Sequence, residues 1–275
     1  GFLTGYYEPV LDGSLVRTPA FSAPILPRPA DLVDLPDDAP PPGWPAGLAA
    51  AARRPNGNFE AYPDRAALEA WATGPESRPL VWLRDWVEVF LVHVQGSARL
   101  RLPDGSMRRL VYAGRNGHPY TSIGRLLVDG GEISWADMSL DRLKSWIRAN
   151  GQASGERGRE LMQRNRSYIF FQLVDATSDE SPTGGAGLPL TAGVSIAVDR
   201  AVWSYGLPFW ITADEPVPGF GPGALSRLFI AQDTGTAIVG PARVDLFVGS
   251  GDAAGAAAGL IRHAARVHVL RPRGP

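Results

Sequence analysis

From Tyr168 to the carboxyl end the chain breaks into short apolar runs: YIFFQLV, VSIAVD, PFWIT, RLFIAQD, TAIVG, VDLFVG and RVHVL. Glycine and proline punctuate them, and runs of this length fit strands better than helices. The later helix candidate, Ala253 to Ala264, is small and alanine-rich. Six or so strands with one short helix predict a closed β-barrel in preference to an α/β sheet. Across the whole chain, 32 glycines and 25 prolines extend this mostly-β reading. No internal repeat with a fixed period is visible.

The first half mixes types. Phe2 to Val10 reads as an aromatic strand ended by Pro9 and the turn-prone Asp12-Gly13. Residues 27 to 47 are dense in proline and aspartate, including Pro40-Pro41-Pro42, and predict an extended surface loop, since proline cannot donate to a sheet ladder. Pro63 to Ala72 carries helix formers, and Val87 to Gln95 alternates in the manner of a strand. Asp104-Gly105 is a strong hairpin signal between Leu100-Leu102 and Leu110-Tyr112. Three helices follow: Ser122 to Val128, one capped by Ser139 with Leu140, Leu143, Trp146 and Ile147 on one face, and Arg157 to Arg164.

Composition narrows the function classes. With 27 basic and 28 acidic side chains the net charge is -1, which gives no electrostatic footprint for nucleic acid. Cysteine is absent, which removes disulfides, thiolate catalysis and Cys-ligated metal sites without fixing the compartment. The histidines His93, His118, His263 and His268 show no metal-ligand spacing, so neither metal nor organic cofactor is expected. No apolar run approaches the roughly 20 residues of a membrane helix. The chain opens at Gly1 without methionine, so an export signal or lipid anchor is expected to have been removed.

The stretch from Arg227 to Asp252 places Asp233, Asp245 and Asp252 within or after apolar runs and beside glycines. A carboxylate beside a buried strand loses hydration, which raises its pKa and suits it to general-acid work. Aspartates also commonly cap turns. Asp245, between Val244 and Leu246, is the exception, because a mid-strand aspartate disfavours the sheet and needs a compensating reason. Residue chemistry alone leaves catalysis and turn capping both open. Asp233-Thr234-Gly235 copies the D-T-G of aspartic proteases, but a single-chain enzyme of that type needs two such motifs and only one is present. A homodimer could supply the second, though proteases of that kind are far shorter.

The motifs GFLTGYYEP, VHVQGSARLRLPDG, YAGRNGHPYTSIG, a DMS helix entry and NRSYIFFQ precede PLTAGVSIAVDR and AQDTGTAIVGPARVDLFVGSGD in that order. Nearly the whole chain thereby resembles the membrane-bound lytic murein transglycosylase A (MltA) family, with its carboxy-terminal three-aspartate domain. The resemblance implies a double-psi β-barrel from residues 1–12 and 169–275, its three-aspartate region at 227–270. A second, smaller β-rich domain, residues 13–168, would be inserted in it, with the substrate groove between the two.

The implied activity is cleavage of the β-1,4 bond between N-acetylmuramic acid and N-acetylglucosamine without water, leaving a 1,6-anhydromuramyl end. Asp245 matches the single acid/base, with Asp233 and Asp252 as supporting carboxylates. Thr4, Tyr6, Gln95, Ser97, Asn116 and Tyr120 fall in motifs resembling the family's substrate-binding segments, where tyrosines can stack on sugars and polar groups can read hydroxyl and acetamido groups. The bland alternative makes Tyr6 and Tyr120 core aromatics and Asn116-Gly117 a turn. Peptidoglycan glycan strands are the implied partner, with cell-wall synthesis or hydrolysis proteins beside them. A periplasmic location follows, with an outer-membrane lipid anchor absent from this chain. The competing class is a non-catalytic, peptidoglycan-binding double-psi barrel. The chain departs from the family pattern in the near absence of a segment before the GYY motif, and in a longer stretch from Pro27 to Trp82.

Overall fold

A computed structural model describes residues 1–35, 43–177 and 181–271. In chain order the strands of the first half are β1 (Phe2–Glu8), β2 (Val10–Asp12), β3 (Ala23–Ile25), β4 (Leu32–Asp34), β5 (Ala50–Arg53), β6 (Phe59–Ala61), β7 (Val81–Leu83), β8 (Ser97–Arg101) and β9 (Met107–Arg115). The helices are α1 (Arg65–Ala72), α2 (Trp86–Gln95), α3 (Ile123–Asp129), α4 (Leu140–Ala149), α5 (Arg157–Gln163) and, much later, α6 (Asp252–Ala258). The remaining strands are β10 (Ile169–Asp175), β11 (Ser195–Val198), β12 (Pro208–Pro216), β13 (Ala224–Asp233), β14 (Arg243–Ser250), β15 (Arg262–Ala264) and β16 (Arg266–Val269).

The chain divides into two compact units. The first comprises Gly1–Val10, Ser139–Asp141 and Ser178–Pro275. Its seven-stranded sheet runs β15-β1-β14-β11-β13-β12-β16. β1 lies parallel to β14 and β11 parallel to β13, so the amino-terminal strand is held by the carboxy-terminal region. The outermost strands of that order, β15 and β16, are separated in sequence by Ala265 alone, so the sheet must curl until its ends approach. Alternation fills the inside. Leu3, Ile196, Val198, Phe209, Ile211, Phe229, Ala231, Val244 and Leu246 are buried in one cluster, as the period of two requires for one face of a sheet.

The second unit comprises Leu11–Met138 and Arg142–Thr177. It holds a four-stranded sheet β10-β9-β8-β2, a three-stranded sheet β4-β5-β6 and the pair β3-β7, with α1 to α3, α5 and most of α4. The Asp104-Gly105 hairpin forms as expected: β8 and β9 pair from Arg101↔Met107 to Ser97↔Val111.

Several expectations change. Val87 to Gln95 is helical, because Asp85 caps the Glu88 amide at 2.9 Å and Gly96 closes the end at φ 78°. Its residues from Val87 to His93 are all buried, which erased the helical periodicity in the sequence. TAIVG is not a strand but the connection from β13 to β14, with Val239 72% exposed. The expected helix to Ala264 stops at Ala258, and Arg262–Ala264 instead forms β15. Strand β10 pairs with β9, and its residues lie in the second compact unit, which runs to Thr177. Ala50–Arg53, which carried no strand signal, pairs as β5 with both β4 and β6. Within 27–47, β4 interrupts the expected loop, while Pro40-Pro41-Pro42 lies outside the described residues.

Candidate active site

Four strands of the first unit bring the decisive residues into one row. Asp245 on β14 faces Thr4 on β1 and Ala197 on β11, and Ala197 in turn faces Asp233 on β13. The neighbours Val244 and Leu246 point into the core, so alternation turns Asp245 to the opposite face. That is the compensating reason a mid-strand aspartate requires. Asp233 joins the row through a register shift between Ile196 and Ala197, which skips Gln232. Such bulges re-aim one side chain without breaking the strand. The small side chain of Ala197 lies between the two carboxylates in the row.

The two carboxylates are held differently. The Thr4 hydroxyl donates to Asp245 Oδ1 at 2.6 Å, the one hydrogen bond to that carboxylate among the described residues. Asp233 accepts three: Oδ1 from the Gly185 and Thr234 amides at 2.8 and 2.9 Å, and Oδ2 from the Tyr6 hydroxyl at 2.8 Å. Tyr6 is itself fixed by packing on Phe247, with ring centroids 5.3 Å apart.

Burial pushes Asp245 up to about 6, and the Asp233 charge adds to the rise. The Thr4 hydroxyl and the Arg243 guanidinium oppose it without cancelling it. Burial also raises Asp233 above the usual carboxylate range, against its three donors. Desolvation and the Asp233 carboxylate keep the Tyr6 phenol protonated, well above its ordinary range. At about 6, Asp245 lies nearer neutrality than an ordinary carboxyl, in the range where a group can both give up and accept a proton.

The third aspartate differs. Asp252 is exposed in the first turn of α6, beyond the end of β14, where a carboxylate suits the helix amino terminus. Its charge raises the Tyr7 phenol rather than Asp245.

Of the expected substrate-binding residues, Thr4 and Tyr6 are partners of the aspartates themselves. Gln95, Ser97, Asn116 and Tyr120 lie in the second unit. Gln95 and Ser97 are half-buried on either side of Gly96, and Tyr120 is half-buried. Asn116 is fully buried, donating to the Pro63 and Arg166 carbonyls at 2.9 Å each and accepting from the Tyr168 amide at 2.8 Å. With the His118 amide donating at 3.4 Å as well, this carboxamide engages four backbone groups and pins the loops that carry them. The sequence reading passed over Ala197, Gly185 and Arg243. The T-x-Y spacing of β1, which puts Thr4 and Tyr6 on one face, is a further signal that the sequence carries.

Two family descriptions match this chain. The MltA specific insert domain covers residues 2–172 and the 3D domain residues 194–271, the latter including all three aspartates. The chain belongs to the MltA family.

Membrane-bound lytic murein transglycosylase A of Escherichia coli K12 is 31% identical over 98% of this chain. The chain spans 65% of that relative's length. The Vibrio cholerae protein of the same name is 35% identical over 76% of this chain and 55% of its own. Among solved structures, a membrane-bound lytic murein transglycosylase from Agrobacterium tumefaciens matches with a TM-score of 0.88 at 38% identity, covering 99% of this chain and 74% of that one. The E. coli MltA structure with bound chitohexaose matches at 0.76 and 30%, covering 98% and 72%. Such relatives are named membrane-bound; among the described residues here, no helix is long and apolar enough to cross a membrane.

Proposed function

We propose that this MltA-family chain is a peptidoglycan lytic transglycosylase that uses Asp245 as its single acid/base. The observation that carries the reading is one strand position. Asp245 is turned away from the core, held by one hydroxyl, and lifted to about 6 by burial. In the reaction, protonated Asp245 donates to the oxygen bridging N-acetylmuramic acid and N-acetylglucosamine as the C1–O bond breaks. The Asp245 carboxylate then takes the proton of the muramyl C6 hydroxyl as that oxygen bonds to C1. The proton is returned, no water enters, and a 1,6-anhydro end remains.

Ordinary glycosidases divide this work between two carboxylates. Here the attacking hydroxyl belongs to the substrate, so one positioned group suffices. Asp233 suits a supporting role, because both of its oxygens are already engaged by donors. Its charge helps hold the proton on Asp245. Asp252 belongs to the α6 end of the same strand as a helix-terminal support. Gln95, Ser97 and Tyr120 remain the substrate-reading candidates, and Asn116 organises the loops around them. The parallel β1·β14 and β11·β13 pairs and the approaching sheet ends support a double-psi barrel into which the second unit is inserted. The substrate class and the relatives' names support a periplasmic enzyme, anchored by lipid to the outer membrane.

The test is incubation with purified sacculi and identification of the products by mass. Anhydromuramyl ends that disappear in Asp245→Asn are expected. Reducing ends would replace this reading with hydrolysis, and binding without release would make the protein a wall-binding module.

A further inference from the structure

The three-stranded sheet of the second unit carries a feature that the acid/base row does not use. β6 is its edge strand, three residues long and exposed throughout. It forms one wall of a hollow of about 570 Å³, whose other wall is Trp44 with its glycine and proline neighbours. That volume lies inside the roughly 300–1,000 Å³ range of small-ligand sites.

Both walls are fixed. The Trp44 indole donates to the Leu48 carbonyl at 2.9 Å, which orients the ring. The opposite wall is a tight hairpin: the Arg54 amide donates to the Asn58 carbonyl at 2.8 Å, and Gly57 turns at φ 84°. The Arg53 guanidinium sits 5.6 Å from the Phe59 ring centre and steadies it.

The lining chemistry selects a ligand class. Among its described lining residues Glu60 is the one ionisable side chain, and it pairs with Arg54 at 2.8 Å. The hollow offers two aromatic rings, whose electron-rich faces attract the C–H edges of a pyranose. It also offers the Asn58 carboxamide, which makes no hydrogen bond to any described residue and can both donate and accept. Aromatic faces beside an unspent amide suit an N-acetylated sugar.

We propose that Trp44, Asn58 and Phe59 form a second saccharide site, which takes an N-acetylated stretch of glycan and holds the polymer by a segment other than the one being cut. The proposal rests on the glycan-cleaving reading for the identity of the polymer. Linking a second contact to a first on one strand raises apparent affinity without any change at the reacting bond.

The test uses the full chain and two kinds of substrate. In an Asp245→Asn background, Trp44→Ala with Phe59→Ala should weaken co-sedimentation with sacculi by about tenfold, the usual scale for truncating a well-packed aromatic contact. With Asp245 intact, the same pair should leave turnover of a soluble tetrasaccharide unchanged. Trp44→Phe with Phe59→Tyr should keep sacculus binding. In the Asp245→Asn protein, chitotriose should shift the Asn58 side-chain amide resonances, and the alanine pair should abolish the shift. Unchanged sacculus affinity in the alanine pair overturns the proposal. Should the alanine pair also lower tetrasaccharide turnover, the Asn58 measurement on the otherwise unmutated surface decides, and no shift overturns it. Failure of the wild type to give anhydro products would overturn the proposed reaction while leaving these binding measurements intact.

Discussion

Each unit buries ionisable groups, and the two do so in opposite ways. In the second unit Arg65 and Glu69 are almost inaccessible, yet every charge has company. Glu69 accepts from Arg159 at 2.7 Å, Gln163 at 3.0 Å and Arg65 at 3.4 Å. Arg65 donates further to the Asn165 and Ser167 carbonyls and lies 3.0 Å from His93 Nδ1. In the first unit Asp245 is desolvated with a single hydroxyl donor and titrates near neutrality. A carboxylate held by several donors has its geometry fixed, whereas one left short of donors keeps its proton mobile. That difference in donors, more than burial itself, is what suits Asp245 to the proposed chemistry.

The largest effect that would break this contrast is on catalysis. Asp245→Asn should cut anhydromuropeptide release by about 10²–10⁴-fold, the usual span of general acid–base contributions, read by mass-resolved product assay on sacculi. Near-normal release would place the chemistry elsewhere.

Next comes the structural centre. Glu69→Gln removes the carboxylate that compensates Arg65 and Arg159. Breaking one side of a buried pair costs about 3–5 kcal/mol, visible as a lower urea midpoint. A change below 1 kcal/mol would mean that the arginines find other partners.

The third prediction reverses the sign. The folded-state pKa of Asp245 lies above its ordinary value of 3.8. Stability linked to it is therefore fully present below the unfolded pKa and lost as pH rises through about 6. Asp245→Asn should be more stable than wild type at pH 8, by at most about 3 kcal/mol, trimmed by the solvent that still reaches the side chain. The gain should vanish below about pH 4. His93 runs the other way: burial and the Arg65 charge hold it well below the ordinary histidine range, so its contribution is lost as pH falls. Urea midpoints of the wild type and the two single variants, Asp245→Asn and His93→Gln, across pH 4 to 8 separate the two trends.

The smallest effect is the sharpest. Thr4→Val removes the donor that favours ionised Asp245. The alkaline limb of the kcat profile should move upward by about one pH unit or less, given a hydrogen bond worth roughly 1 kcal/mol. A downward move would contradict the assigned donor direction.

Local signals marked much of this chain. Asp104-Gly105 set its hairpin, Ser122 caps α3, and the apolar spacing of Leu140, Leu143 and Ile147 marked α4. Signals failed where burial was complete or pairing distant. Helix α2 is buried almost all round and so reads as a strand, and β5 is an alanine run that becomes a strand only between two partners.

The same division runs through the site. Sequence by itself determined that Asp245 occupies an apolar strand, that Thr4 and Tyr6 share one face of another, and that the motif order is that of the MltA family. Tertiary structure alone decided their unequal surroundings. Parallel pairing over a separation of 241 residues puts Thr4 on Asp245, and a skipped Gln232 brings Asp233 into the same row. It likewise sank Asn116 into the backbone of the second unit. A carboxylate's proton affinity is set by the water it loses and the donors it gains, and both are properties of neighbours that the local sequence does not name.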